Sequence, residues 1–308
     1  MSLGIRQLNP LLVLINPVAG GGRAVRVWKQ VESLLQRDGI DYRAVLTRGP
    51  GHATQLAANA HPDGHGALVV LGGDGTVSEV AAGLMEAPLP LAILPGGRGN
   101  DLSRALGLPR RPVACWHEIS AGISSPVDVG FINDRLFVNI VGAGLDAEVA
   151  AMANRFPRYL GGILPYMASL ALKLAAYRNC QVKVEADDIT WEGKAVLVAV
   201  GIGSHYGGGF CIMPGADPSD GLLDVCVAGD ISKLGLLSLI PAVLKGKHVN
   251  HPKFFTWRAR KVKVEAERPL AVQADGEPAG LLPASFGLAP GALSVLGLRG
   301  GVDPALQG

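Results

Sequence analysis

The chain has 308 residues, enough for two domains that each bury a core, at about 150 residues per domain. Apolar residues make up 48% and charged residues 18%, which excludes a disordered chain and a charge-driven coiled coil. The 28 basic and 26 acidic residues give a net charge of +2, against a nucleic-acid partner, and aromatics at 5% are too scarce for a base-stacking platform.

The first ten residues carry one arginine and no apolar run, so no signal peptide is expected. Residues 11–15 form a continuous apolar run ended by a glycine turn, the pattern of a buried parallel strand. Residues 25–37 place Val27, Val31, Leu34 and Leu35 on one helical face. A strand at 42–46, a helix at 52–60, a strand at 67–71, a helix at 76–85 and a strand at 91–94 follow, a βαβ series.

Past about residue 125, apolar and polar residues alternate at 181–186, 195–200, 222–227, 261–266 and 271–274, with Gly, Asn and Asp in the turns. That pattern predicts an antiparallel β domain, with helices near 161–178 and 234–245. The run 159–177 is almost wholly apolar, but Gly161, Gly162, Pro165 and Lys173 interrupt it. A buried or interfacial helix fits it better than a membrane span. The four cysteines lack zinc spacing and read as buried thiols of a reducing compartment, so a cytoplasmic protein is expected.

The 42 glycines have no repeating period, which excludes collagen; they cluster in turns. Three clusters follow predicted strands: Asn16-Pro-Val-Ala-Gly20-Gly21-Gly22-Arg23, Gly72-Gly73-Asp74-Gly75-Thr76, and Pro95-Gly-Gly97-Arg98-Gly-Asn100-Asp101. Ligands of open α/β sheets bind at the carboxyl ends of strands. Glycine lets backbone amides approach a phosphate closely, and the following helix N-terminus adds favourable partial charge. Three such loops in succession point to phosphate binding. The second loop has neither the Gly-Lys-Thr/Ser ending of a Walker A motif nor the spacing of GxGxxG. Its Gly72 and Gly73 would offer N–H groups, and Asp74 could hold Mg²⁺. Thr76 with Glu79 reads equally as a capping box or as ligand contacts.

The series NPxxGGGR, GGDGTxxEVAxGL and PGGxGNDLxRxLGLP resembles the catalytic domain of the diacylglycerol kinase family, and bacterial lipid kinases of that family are similar nearly end to end. Val127-Asp-Val-Gly130, Phe137-Val-Asn139, Asp220-Gly-Leu-Leu-Asp224, the stretch 246–252 and Ala274-Asp-Gly-Glu277 agree with it. The GGDGT motif alone is shared with NAD kinases and phosphofructokinases.

The resemblance implies a nucleotide-binding α/β domain over 1–125, completed by about 289–308, and a β-rich lipid-acceptor domain over 126–288. It implies ATP contacts at Asn16, Thr47 and the Gly72–Ser78 loop, Val77 included, with Asp275 as catalytic base and Glu277 beside it. A structural Mg²⁺ would take the Asp220 carboxylate and backbone oxygens of Asp217 and Leu222, while Asp74 and Asp101 would place a catalytic Mg²⁺ on the phosphates. Arg98 stands where the family usually has threonine, in reach of a phosphate or covering the loop from outside. Asn100 and Asp101 match.

The expected activity is ATP-dependent phosphorylation of diacylglycerol or a similar lipid alcohol, with peripheral contact at the inner membrane face. A kinase for a small soluble acceptor and a non-catalytic lipid or nucleotide binder are the alternatives, and a homodimer through edge strands is left open. His205, His248 and His251 read as loop or surface histidines. The basic residues Lys245, Lys247, Lys253, Arg258, Arg260 and Lys261 fit anionic headgroups or a solvated face alike.

Overall fold

The computed structural model describes residues 5–61, 63–121, 123–156 and 163–298. It divides into two compact units: unit 1 runs to Val127 and resumes at Gly291, and unit 2 is Asp128–Pro290.

Unit 1 is an α/β layer structure. In chain order it holds β1 (Leu11–Ile15), α1 (Arg23–Arg37), β2 (Tyr42–Leu46), α2 (His52–Ala58), β3 (Ala67–Gly72), α3 (Asp74–Leu84), β4 (Leu91–Pro95), α4 (Asp101–Ala105) and α5 (Pro112–Ser120). The strands are parallel in the order β2-β1-β3-β4, with Leu11 opposite both Tyr42 and Ala67, and Leu68 opposite Leu91. Every residue of β1, β3 and β4 is buried, which is why these runs read as unbroken apolar stretches; β2, at the edge, is largely exposed. Helix α1 covers the sheet with Val27, Trp28, Val31 and Leu35, and α5 with Cys115, Trp116 and Ile119.

Unit 2 begins within β5 (Ser124–Ile132), followed by β6 (Arg135–Phe137), β7 (Ile140–Gly144), α6 (Leu145–Ala153) and α7 (Leu164–Ala176). Next come β8 (Cys180–Ala186), β9 (Ile189–Ala195), β10 (Leu197–Gly201), β11 (His205–Tyr206), β12 (Phe210–Cys211) and β13 (Leu223–Ala228). Helix α8 (Lys233–Leu244), β14 (Phe254–Ala259), β15 (Val262–Ala266), β16 (Ala271–Ala274), β17 (Glu277–Leu281) and β18 (Ala284–Leu296) complete the chain order.

One antiparallel sheet runs β14-β13-β10-β7-β16-β17; in the other, β15 lies between β8 and the start of β18, and β9 flanks β8. Val182, Val184, Val262 and Val264 of one sheet share a core with Val198, Val200, Val225 and Val272 of the other, a β-sandwich. The opposite face of the first sheet is covered by α6, α7 and α8 through Leu145, Val149, Leu170, Leu174, Leu236 and Val243. The far end of β18 pairs with β4 in unit 1, Val295 opposite Leu91.

The strand expected at 195–200 is two strands, β9 ending at Ala195 and β10 starting at Leu197. Helix α7 starts at Leu164, and residues 161–162 of the expected helix lie outside the described residues, as do 299–308 of the expected carboxyl-terminal return. All four cysteines are buried. Burial pushes the Cys115 and Cys226 thiols up to about 12.

Candidate functional site

In unit 1 the three glycine loops follow β1, β3 and β4 and touch one another. Gly20 at φ 57° approaches the third loop so closely that a Cβ there would lie 2.4 Å from the Gly96 carbonyl oxygen. A Cβ on Gly97 would lie 2.3 Å from Gly73 Cα, so backbone meets backbone where the second and third loops cross. Gly96 N–H donates to Gly72 O at 2.9 Å. Asn16 Nδ2 donates to Thr76 Oγ1 at 2.8 Å, tying the first loop to the second. The Asn100 amide closes the third loop on itself: Oδ1 accepts from Gly97 N–H at 2.8 Å and Nδ2 donates to Gly97 O at 3.1 Å.

Helix α3 begins at Asp74 with Gly73 as its N-cap. The capping box read from Thr76 and Glu79 is therefore not formed. Thr76 lies inside the first turn with its hydroxyl on Asn16, and Glu79 accepts from Ala53 N–H at 3.2 Å. The amides of Thr76 and Val77 both donate to Gly73 O. The Asp74 and Asp101 carboxylates converge: an Oδ2 of each lies 3.1 Å from the point where a Gly99 Cβ would sit. Asp74 Oδ1 also accepts from Leu102 N–H at 3.1 Å, and Asp101 is ion-paired with Arg104.

In unit 2, Asp275 and Gly276 form the two-residue turn between β16 and β17, at φ 50° and 87°. Positive φ at both positions is the pattern of a type I′ hairpin turn, which Asp-Gly favours. The carboxylate reaches back to the segment before β7 and accepts from Val138 N–H at 2.8 Å, Asn139 N–H at 3.0 Å and Ile140 N–H at 3.3 Å. Glu277 opens β17, exposed.

A second acidic group surrounds the 217–224 turn. Asp217 Oδ1 accepts from Ser219 N–H and Oγ, and Asp220 Oδ1 from Leu222 N–H at 3.0 Å. Arg258 pairs with Asp220 at 3.5 Å and Asp224 at 3.4 Å. Burial pushes Asp224 up to about 6, against the opposing pull of Arg258, and raises Asp220 as well. The buried Asp224 Oδ2 has no hydrogen-bond partner among the described residues. Asp128, buried on β5, accepts from Gly221 N–H at 2.8 Å and donates its own N–H to Pro218 O.

Residues 10–132 match the diacylglycerol kinase catalytic domain, and residues 139–297 match the YegS C-terminal NAD kinase beta sandwich-like domain. A diacylglycerol kinase of Mycobacterium tuberculosis is 35% identical over 303 residues, covering 96% of this chain and 97% of its own. The chain belongs to the diacylglycerol kinase family. It is a lipid kinase, a phosphotransferase. The diacylglycerol kinase of Bacillus subtilis is 28% identical over 280 residues, covering 89% of this chain and 91% of its own. A solved diacylglycerol kinase from Bacillus anthracis superposes with a TM-score of 0.72 at 26% identity, over 96% of this chain and 97% of that one.

Within this lipid kinase, Asn16, Gly20, Gly21, Gly22, Gly72, Gly73, Gly97 and Asn100 fall in the three touching loops, Asp74 and Thr76 in the first turn of α3, and Asp101 at the start of α4. Arg23 opens α1 directly after them, Gly75 and Ser78 lie in the first turns of α3, and Thr47 is buried just after β2. Val77 faces the core, 3% exposed, so its side chain is unavailable to a ligand. Half-buried Arg98 lies between Gly97 and Asn100 in the third loop. The 217–222 turn and Asp275–Glu277 are separate sites within unit 2. In sequence, Asp128 falls within the family-like Val127-Asp-Val-Gly130 segment, which assigns it no role; the fold brings it to Gly221.

Among the described residues no three His, Cys, Asp or Glu side chains gather as a metal cluster. An ion at either acidic site would rest on one or two carboxylates completed by carbonyls, phosphates or water. Mg²⁺ suits such an all-oxygen set, and the unpartnered Asp224 oxygen shows that the second group has acceptor capacity to spare.

Unit 2 also presents two apolar helix faces outward. Leu164 and Leu172 of α7 are 67% and 62% exposed, and Leu234 of α8 is 80% exposed, with Leu237, Pro241 and Leu244 on the same side. Lys233 at the start of α8 donates to Ala175 O at the end of α7, so the two helices meet at those ends. Neither helix contains an acidic residue, and exposed Lys233, Lys245 and Lys247 lie at the ends of α8. Among the described residues, no helix is long and apolar enough to cross a membrane.

Proposed function

We propose that this lipid kinase transfers the γ-phosphate of ATP to the hydroxyl of diacylglycerol or a similar lipid alcohol, with Asp275 as general base. The observation that carries this reading is the Asp275 turn. An ordinary Asp-Gly hairpin does not need its carboxylate held by three backbone amides at the start of a neighbouring strand, 135–137 residues away in sequence, whereas a base must be fixed against its proton donor.

Phosphoryl transfer depends on positioning and charge neutralisation more than on covalent chemistry. The glycine loops of unit 1 and the N-terminus of α3 supply backbone N–H groups for the phosphates, as helix N-termini commonly do. Asp74 and Asp101 are the residues to hold Mg²⁺, which would neutralise charge on the phosphates. Asp275 takes the proton from the lipid hydroxyl as its oxygen attacks the γ-phosphorus and ADP leaves, with Glu277 beside it. Asp220 and the backbone oxygens of Asp217 and Leu222 are proposed to hold a structural Mg²⁺, with Asp128 and Asp224 completing the oxygen-rich surroundings.

The outer faces of α7 and α8 support a lipid acceptor. Large exposed leucines on adjoining helices without acidic residues, with lysines at the ends of α8, suit peripheral docking on an anionic bilayer. A kinase for a soluble metabolite has no physical need of such a face.

The test is γ-phosphate transfer from labelled ATP, with Mg²⁺, to a lipid panel in mixed micelles. Wild type and Asp275→Asn are run in parallel. Label in lipid with wild type alone supports both the acceptor class and the base. Equal labelling by both proteins removes Asp275 from its role, and label only in soluble acceptors removes the lipid.

A further inference from the structure

Helix α6 grips both peptide groups of Gly276. The Gly276 N–H donates to Gln273 Oε1 at 2.7 Å, and Gln273 Nε2 in turn donates to Asp146 Oδ2 at 2.9 Å, in the first turn of α6. At the other end of the helix, the C-cap residue Asn154 donates its Nδ2 to the Gly276 carbonyl at 2.7 Å. The turn carrying Asp275 is thus held at its C=O by α6 directly and at its N–H by Gln273 of β16, which α6 in turn anchors through Asp146.

The Asp146–Gln273 link is enclosed. Both residues are 3% exposed. The Gln273 amide has its two ends fixed by chemistry, because only its oxygen can accept the Gly276 N–H, which turns its NH₂ toward Asp146. Tyr166 of α7 donates its hydroxyl to Asp146 Oδ1, and the Tyr206 hydroxyl of β11 hydrogen-bonds the same carboxyl. Gly142 on β7 leaves the space for it, since a Cβ there would lie 1.7 Å from Asp146 Oδ2. Three donors therefore converge on one buried carboxyl, an arrangement matched to the ionised form.

We propose that Asp146 and Gln273 are positioning residues for phosphoryl transfer, holding the Asp275–Gly276 turn in its left-handed form so that the base carboxylate stays aimed. This rests on Asp275 being the base.

Burial pushes Asp146 up to about 7, against the pull of the Gln273 and Tyr206 hydrogen bonds. The titratable groups around it are Tyr166, Tyr206 and, after α7, Tyr177; the nearby Glu148 and Lys173 pair with each other at 3.3 Å. As pH falls through neutrality, Asp146 gains a proton where three donors already meet. The charge-assisted hold on Gln273 is lost, and turnover falls.

The test is steady-state kinetics of wild type, Gln273→Met, Asp146→Asn and Asp275→Asn from mildly acid to mildly alkaline pH, each variant first shown to be folded by its thermal transition. Gln273→Met should lower kcat about ten- to a hundredfold at an unchanged KM for ATP. Asp146→Asn, which keeps the shape and removes the charge, should abolish the kcat inflection near neutrality and hold kcat at the acid-side level of wild type. Wild-type kcat in Gln273→Met, or an inflection that survives in Asp146→Asn, overturns the proposal even where Asp275→Asn is inactive. Full activity in Asp275→Asn overturns the base and this proposal together.

Discussion

Under the proposed function, the two units would contribute to phosphoryl transfer in opposite ways. Unit 1 builds its site from backbone: three loops lie so close that Gly97 and Gly73 meet without room for a Cβ, and its side chains mostly lace the loops together. Unit 2 aims one side chain, Asp275, and recruits backbone from residues 138–140 to hold it. A phosphate-binding surface needs many equivalent donors, which local glycine runs provide. A base needs one group at one place, which only tertiary structure provides.

The largest effect should come from the side-chain half. Asp275→Asn keeps one oxygen to accept from the Asn139 and Ile140 amides but turns an NH₂ toward Val138 N–H, so the thermal transition should fall only modestly while kcat for lipid phosphorylation falls about a thousandfold. A comparable loss of Tm would make the residue structural instead.

The backbone half is broken at Gly97. Alanine there meets Gly73 Cα, and overpacking of that kind costs about 1–3 kcal/mol. Denaturant titration should show that loss, and KM for ATP should rise while vesicle binding is unchanged. An ATP KM equal to wild type would separate the loop contact from nucleotide binding.

A smaller effect sharpens the contrast through stability. The folded Asp146 carboxyl titrates near 7, above its ordinary value, so the folded state keeps a proton that the unfolded chain releases. Stability contributed by that proton is lost as pH rises through about 4 to about 7. Asp146→Asn should therefore raise Tm increasingly over that window and by a constant amount above it, as read by differential scanning calorimetry. An equal Tm gain at acid and alkaline pH would contradict the raised value.

The smallest effect belongs to the outer face of unit 2. Leu234→Ser with Leu237→Ser alters exposed positions, so Tm should hold while sedimentation with anionic vesicles drops several-fold, since leucines docked at the bilayer surface gain only part of the about 1.5–3 kcal/mol that full burial of each would give. Unchanged co-sedimentation would remove α8 from the docking face.

Much of unit 1 was legible because its elements are locally encoded. β1, β3 and β4 are buried on both faces and so appear as continuous apolar runs, and each loop motif sits next to the strand that it ends. What failed there was the start of α3: Thr76 followed by Glu79 has the spacing of a capping box, but Asn16 claimed the hydroxyl and Ala53 the carboxylate. Unit 2 was legible as an antiparallel class from alternation, yet its pairings were not. Nothing near Asp275 in sequence names Val138, Asn139 or Ile140 as its partners; Asp128 stands in a family-like motif that assigns it no role, and Asp146 and Gln273 look like ordinary polar residues in apolar stretches until the sheet brings their partners in.

The four buried thiols give the protein an internal clock. Cys115 lies in unit 1, its Sγ against the Ile93 carbonyl, while Cys180, Cys211 and Cys226 lie in unit 2. Alkylating reagents attack thiolates, and two of these thiols titrate only near 12 while folded, so labelling must wait for the surrounding structure to open. Mass spectrometry of pulse-labelled peptides would then time the opening of each half separately, with no engineered probe, and would show which half ATP steadies and which half lipid does.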